Sequence, residues 1–216
     1  MSEDRHSRTD PVELISDPSE KARREAENGV RQFKAAIRII TDHISNPDHR
    51  FRLNQALILQ LHEKALDGIH PLAGTYRNSP VRIGKSSHLP PSHSEVPDYV
   101  VDMCNYTNEH WDDRNAIHLA AYVLWRMNWI HPFADGNGRT ARVVSYVVLS
   151  IKLRSLLPGT PTIPDQIAAN KEPYYSALEN ADAAWKYESL HLAGMEEMLE
   201  GMLAKQLLQA TQEAAG

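Results

Sequence analysis

Apolar residues recur at helical spacing along most of this chain. Behind a polar opening stretch, residues 1–18, which is read as flexible, Val30, Phe33, Ile37, Ile40 and Ile44 fall three or four apart. That spacing predicts an amphipathic helix over 19–45 whose first half carries the charged run from Glu20 to Glu27. Further helices are expected over 53–66 and 96–108. Between them, Pro, Ser and Gly break residues 74–96 into brief extended runs, read as a short β-hairpin. Residues 114–130 are apolar nearly all round, which predicts a buried central helix capped by Asp112 or Asp113.

The stretch ARVVSYVVLSIKL is rich in valine and reads as a strand by propensity. Arg142, Ser145 and Lys152 nevertheless cluster within roughly 80° on a helical projection, so a helix is expected instead. A loop over 158–164 follows, then a helix over 165–184 interrupted at Pro173, and an amphipathic helix over 188–209. Met195, Met198 and Met202 are assigned to the core or to a homodimer face. The fold class is therefore mostly α, a helical bundle with one short β-hairpin. At 216 residues a single domain over 19–216 accounts for the chain.

Composition narrows the function. Lysine and arginine total 23 against 28 acidic residues, a net charge of −5, which gives no support for non-specific nucleic-acid or anionic-membrane binding. Cys104 is the only cysteine, so no internal disulfide and no cysteine-type metal site is expected. The opening residues lack a signal-peptide core and no apolar run approaches membrane-span length, so cytoplasmic residence is the expectation.

The chemistry concentrates in 131–142, HPFADGNGRTAR, inside a core helix-loop-helix over 112–154. A glycine-rich turn entering a helix leaves the first N–H groups unpartnered and adds the positive end of the macrodipole, which makes an anion site. Gly136, Asn137 and Gly138 form a candidate phosphate cradle: glycine lets backbone approach the ligand, and asparagine tolerates positive φ while its amide donates. Arg139 and Arg142 lie three apart and share a helix face, with planar forks that match phosphate oxygens. Asp135 is a hard oxygen ligand where a magnesium ion would bridge to phosphate. His131 carries the side chain best suited to remove a proton near neutral pH. Taken singly, each residue has a plainer reading: a helix C-cap for His131, a turn residue for Asp135, a solvated face for the arginines. The joint spacing points to nucleotide chemistry.

HPFADGNGRTAR resembles the signature of the Fic family, H-x-F-x-D/E-G-N-G-R-x-x-R, at every specified position. The resemblance implies a Fic-type helical bundle and a protein adenylyltransferase that moves AMP from ATP to a Ser, Thr or Tyr hydroxyl of a protein target, self-modification included. By that likeness His131 deprotonates the hydroxyl, Asp135 positions Mg²⁺, and Gly136, Asn137, Gly138, Arg139 and Arg142 hold the phosphates, with Phe133 buried to fix the loop. The alternatives kept beside it are a phosphotransferase, a de-AMPylase and a nucleotide-binding regulatory module. The segment from Leu61 to Trp111 resembles the part of Fic proteins that supplies a β-hairpin flap, whose edge around Val81, Arg82, Ile83 and Gly84 would dock a target peptide. Asn170 and Tyr174 resemble the region flanking the adenine. Many relatives carry an inhibitory helix, S/T-x-x-x-E-G/N, whose glutamate pairs with the second motif arginine. Glu27-Asn28 fits the end of that pattern with Arg23 at the hydroxyl position, which assigns the inhibitory role to Glu27 in the 19–45 helix. A second partial match ends at Glu200-Gly201, with Glu196 at the hydroxyl position.

Overall fold

A computed structural model describes residues 7–8, 14–46, 48, 50–84 and 86–215. The elements run β1 (Ser7–Arg8), α1 (Pro18–Ser45), α2 (Gln55–Leu66), β2 (Arg82–Ile83), α3 (Val96–Glu109), α4 (Ala116–Ile130), α5 (Asn137–Lys152), α6 (Ile163–Ala169), α7 (Glu172–Trp185) and α8 (Ala193–Ala215). The mostly helical architecture is the one expected.

At the centre, α4 and α5 pack along each other, and each buries most of its surface. Their closeness has a polar signature: the Ser145 hydroxyl on α5 donates to the Ala120 carbonyl of α4 at 2.8 Å. The valine-rich stretch is thus a helix. Its enclosure on all sides by other helices overrides the strand preference of β-branched residues. The α4 cap is Asn115, whose side chain accepts from the His118 N–H, and not Asp112 or Asp113. Those two aspartates hold Arg50 and His110 in the preceding turn.

Around this pair sit α1 and α2 on one side, α3, α7 and α8 on the others. Helix α1 docks through polar as well as apolar residues. Asn28 donates to the carbonyls of Ala65 and Asp67, and Gln32 donates to Leu61 O, so both amides seat α1 against the C-terminal half of α2. Buried Gln206 does the same for α8. It accepts from the Ile163 N–H and donates to the Leu157 and Pro158 carbonyls, which closes the loop before α6. Arg126 of α4 is buried among aromatic rings, with its guanidinium carbon 4.2 Å from the Trp129 ring centre and 4.9 Å from that of Trp185.

Two sequence expectations are corrected at the flap. Among the described residues of 74–96 there is one short strand, β2, and no self-contained hairpin. Its antiparallel partner is β1, with Ser7 opposite Ile83 and Arg8 opposite Arg82. The opening stretch read as flexible therefore contributes a strand at residues 7–8; the rest of that reading up to residue 13 lies outside the described residues.

Candidate active site

The motif turns the chain from the end of α4 into the start of α5. His131 is the C-cap of α4 in a left-handed conformation, φ 51°, with its N–H donating to the Met127 carbonyl. Gly136 is the N-cap of α5, also left-handed, φ 76°. Two reversals within six residues fold 131–136 into a tight loop facing the amino end of α5. Glycine is required at 136 for two reasons: the positive φ, and a Cβ that would sit 2.5 Å from Leu66 Cδ2.

The loop is locked from inside. The Asn137 amide donates to the Phe133 carbonyl at 2.7 Å, and its oxygen accepts from the Phe133 N–H at 2.9 Å. This side chain, assigned to phosphate from the sequence, closes the loop through those two bonds. Phe133 is fully buried and stacks on the His62 ring at 3.6 Å between centres and 4° between planes.

His62 of α2 holds the same loop by hydrogen bonds. Its Nδ1 accepts from the Gly74 N–H at 3.0 Å, so its Nε2 carries the proton and donates to the Asp135 carbonyl at 3.0 Å. Burial pulls its pKa down to about 4, which keeps the ring neutral and this tautomer in place. Nothing in the local pattern singled out this histidine within an apolar helix.

His131 is itself buried, and desolvation first, with the Arg77 charge adding to it, pulls its pKa down to about 3. A proton on Nδ1, which lies 3.4 Å from the Asn128 carbonyl, leaves the lone pair on Nε2. Arg77, buried to 2% exposure, is the second residue that sequence reasoning missed. Its Nε donates to the His131 carbonyl at 2.8 Å and its terminal nitrogens to Pro91 and Ser79, while its own N–H donates to Pro132. One guanidinium therefore ties the flap segment to the motif.

The charged groups lie at the mouth of this loop. Asp135 Oδ1 accepts from the Gly136 N–H at 2.6 Å and Oδ2 stands 3.5 Å from Arg139. Arg139 also lies 3.5 Å from a carboxylate of α1, and that carboxylate belongs to Glu25. The expectation for Glu27 is corrected: it pairs with Arg23 one turn back, not with a motif arginine. Helix phase is the reason. Glu25 is three residues before buried Asn28 and shares its face, whereas Glu27 is one residue before it and points about 100° away. Arg142 is half-buried, pairs with no carboxylate among the described residues, and its guanidinium lies within 3.4 Å of where a Cβ at Gly138 would stand.

Three other assignments fare differently. Tyr174 is buried in the core at 2% exposure, so its ring is packing for α7 and offers no open face to a base. Asn170 is an exposed C-cap of α6. Glu200 lies on the exposed face of α8, and Glu196 is engaged with His118 at 2.7 Å. In the flap Val81 and Ile83 face inward while Arg82 is exposed, the alternation of a strand with one open side.

Residues 52–149 match the model of the Fic/DOC family. The chain is 30% identical to the protein adenylyltransferase fic-1 of Caenorhabditis briggsae over 157 residues, 72% of this chain and 29% of that protein. To the protein adenylyltransferase Fic of Nematostella vectensis it is 36% identical over 132 residues, 58% of this chain and 28% of that protein. It thus spans under a third of the length of these curated relatives. Among solved structures, a Fic domain containing signaling protein from Bacteroides thetaiotaomicron superposes with a TM-score of 0.72, covering 94% of this chain and 76% of that one at 21% identity. Fic-1 from C. elegans superposes at 0.69, covering 93% and 54% at 20% identity. At such identities the likeness to these two is one of fold.

Proposed function

We propose, from the premise that this chain belongs to the Fic family and carries its domain, that it is a protein adenylyltransferase that transfers AMP from ATP to a hydroxyl side chain of a protein. The observation that carries the reading is a neutral, buried imidazole at the end of α4 set across a six-residue turn from the arginine-bearing start of α5. His131 Nε2 takes the proton of the acceptor hydroxyl. The oxygen then forms a bond to the α-phosphorus, the bond from that phosphorus to the bridging oxygen breaks, and pyrophosphate leaves. The N–H groups of α5 and the forks of Arg139 and Arg142 hold the phosphate oxygens through this step. Electrostatic holding of this kind supplies most of the catalysis in phosphoryl-type transfers.

The residues present fit a magnesium ion. One carboxylate, Asp135, stands beside the phosphate site, and magnesium in such sites needs only one or two protein carboxylates, with phosphates and water completing its shell. Bound there it would neutralise charge on the phosphates. Glu25 competes with the nucleotide for Arg139, so autoinhibition on this reading runs through Glu25. The same reading takes the acceptor to be a separate protein or a second copy of this chain, in the cytoplasm; no helix among the described residues is long and apolar enough to cross a membrane.

The test uses ATP labelled at either the α- or the γ-phosphate. Label from the α position must reach protein hydroxyls in the parent and vanish in His131→Ala. Label arriving from the γ position would replace the reading with a phosphotransferase.

A further inference from the structure

A second concavity lies at the end of α5 away from the motif. It is a cleft of about 240 Å³ where four stretches meet: the end of α1, the segment entering α2, the turn between α3 and α4, and the end of α5 with the turn that follows it. Helix α5 has 16 residues, so about 24 Å separates this cleft from the phosphate loop. Two rings dominate its apolar lining, buried Phe51 and half-buried Trp111, with centres 5.0 Å apart and planes tilted by 45°. A cavity of about 150 Å³ takes one benzene ring. The larger cleft here therefore suits a ring with one small substituent rather than a nucleotide.

The charges around the cleft differ in how far they are engaged. Arg50 is paired with Asp112 at 2.7 Å, and Lys152 donates to the Trp111 carbonyl. Asp48 also lines the cleft. Arg154 lines it too, is exposed, and pairs with no carboxylate among the described residues. Its backbone makes the position more telling. The Arg154 N–H donates to the Ile151 carbonyl and the Ser155 N–H to the Ser150 carbonyl, both at 3.0 Å, the two bonds of a Schellman turn with residue 154 in its left-handed place. Its φ is 53°, a conformation that favours glycine and that an arginine adopts only with strain. Those N–H groups already satisfy carbonyls at the end of α5, so the guanidinium is not needed as a helix cap.

We propose that this cleft binds a small aromatic carboxylate, with its ring against Phe51 and Trp111 and its carboxylate on the fork of Arg154. A guanidinium and a carboxylate match in two parallel hydrogen bonds, and the paired rings supply an apolar face for a third. The anion is a carboxylate because it carries a single charge. A phosphate monoester carries close to two, and Asp48 and Asp112 on the same cleft disfavour the second. The proposal does not depend on the adenylyltransferase reading, since none of these residues belongs to the motif.

Benzoate titrated into the isotope-labelled full chain tests it, read by NMR on the indole N–H signal of Trp111, one of four tryptophans, identified by its loss in Trp111→Phe. Benzoate is expected to shift that signal saturably with a Kd on the order of 1 mM, the strength open to a ligand of so few atoms. Acetate, which lacks the ring, and benzylammonium, which reverses the charge, are expected not to. Arg154→Gly is expected to weaken benzoate binding about tenfold, the loss of one charge-assisted pair, while raising the urea midpoint, because glycine is at ease in that turn. Binding is then lost from a chain that is demonstrably folded. Arg139→Gln, at the other end of α5, is expected to leave benzoate binding unchanged. No saturable shift, or equal affinity in the parent and Arg154→Gly, would overturn the site. A benzylammonium response equal to that of benzoate would overturn the sign of the ligand, and an equal acetate response its ring. Binding lost in Arg139→Gln and kept in Arg154→Gly would move benzoate to the phosphate loop and overturn the proposal.

Discussion

Lowering the pH from 7 to 5 is expected to cost the fold about 4 kcal/mol through two imidazoles alone. Burial is the main cause in each, pulling His62 to about 4 and His131 to about 3 from an ordinary value of 6.5. The unfolded chain takes a proton on each ring near pH 6.5, while the folded chain declines it until those lower values. Their contribution is therefore complete above pH 6.5 and drains away as pH falls, by about 1.4 kcal/mol per unit for each ring. Between 6.5 and 5 that is about 2 kcal/mol per histidine, against a total of about 5–15 for a domain of ordinary stability. The drain stops near pH 4 for His62 and near pH 3 for His131. Urea unfolding followed by circular dichroism at several pH values between 7 and 5 reads it. Carboxylates add their own slope in every variant, so the decisive quantity is a difference. His62→Gln keeps an N–H donor for the Asp135 carbonyl but binds no proton. It loses stability at pH 7 with the Phe133 stack, yet its loss between pH 7 and 5 is expected to be about 2 kcal/mol smaller than the parent's. An equal loss in parent and variant would refute the claim that the loop is held by a neutral His62.

Gly136→Ala is expected to cost about 3 kcal/mol, from a left-handed alanine together with a clash against the buried Leu66 side chain, read as a fall in the urea midpoint. Adding Leu66→Ala is expected to cost less in that background than in the parent; strictly additive losses would remove the contact from the account. Glu25→Gln is expected to tighten ATP binding by up to about fivefold, the range for a part-exposed ion pair, and Glu27→Gln to leave it unchanged; calorimetric titration giving the reverse order would return the inhibitory role to Glu27. Arg77→Lys is expected to raise the KM for a protein acceptor more than the Kd for ATP, because one ammonium cannot reproduce a fork that serves His131, Ser79 and Pro91 together. Equal effects on both ligands would mean that Arg77 acts on the whole motif and not on the flap.

What the chain disclosed in advance was whatever one continuous stretch decides. The helices announce themselves because a buried face repeats every three or four residues, and α1, α2 and α3 begin or end within two residues of where that repeat places them. The motif is legible for the same reason: base, turn glycine and two arginines all lie in 131–142, and Gly136 needs only its own φ to declare a helix start. The same locality explains the error at α1. The pattern ending at Glu27-Asn28 is a string, blind to which way a helix faces, whereas the choice between Glu25 and Glu27 is made by the α2 carbonyls that Asn28 and Gln32 reach.

The remaining misreadings share a physical origin in contacts between distant stretches. A histidine within the apolar α2 reads as buried or capping, and only the arrival of the Asp135 carbonyl on one nitrogen and the Gly74 N–H on the other makes His62 the clamp of the loop. Arg77 sits in a segment whose composition says turn, and the carbonyl partners of its guanidinium come from 79, 91, 130 and 131. Tyr174 is placed beside the adenine by resemblance alone, and packing of α7 takes its ring into the core, where a helical tyrosine usually goes. Above all, a strand whose partner lies more than seventy residues away in sequence leaves no alternation long enough to notice, since two residues have no period. It follows that the motif is written in consecutive residues, while the contacts that reach it from elsewhere, Glu25 of α1 on Arg139 and Arg77 on the His131 carbonyl, are written in pairings that a change at a single distant residue can retune without touching the motif.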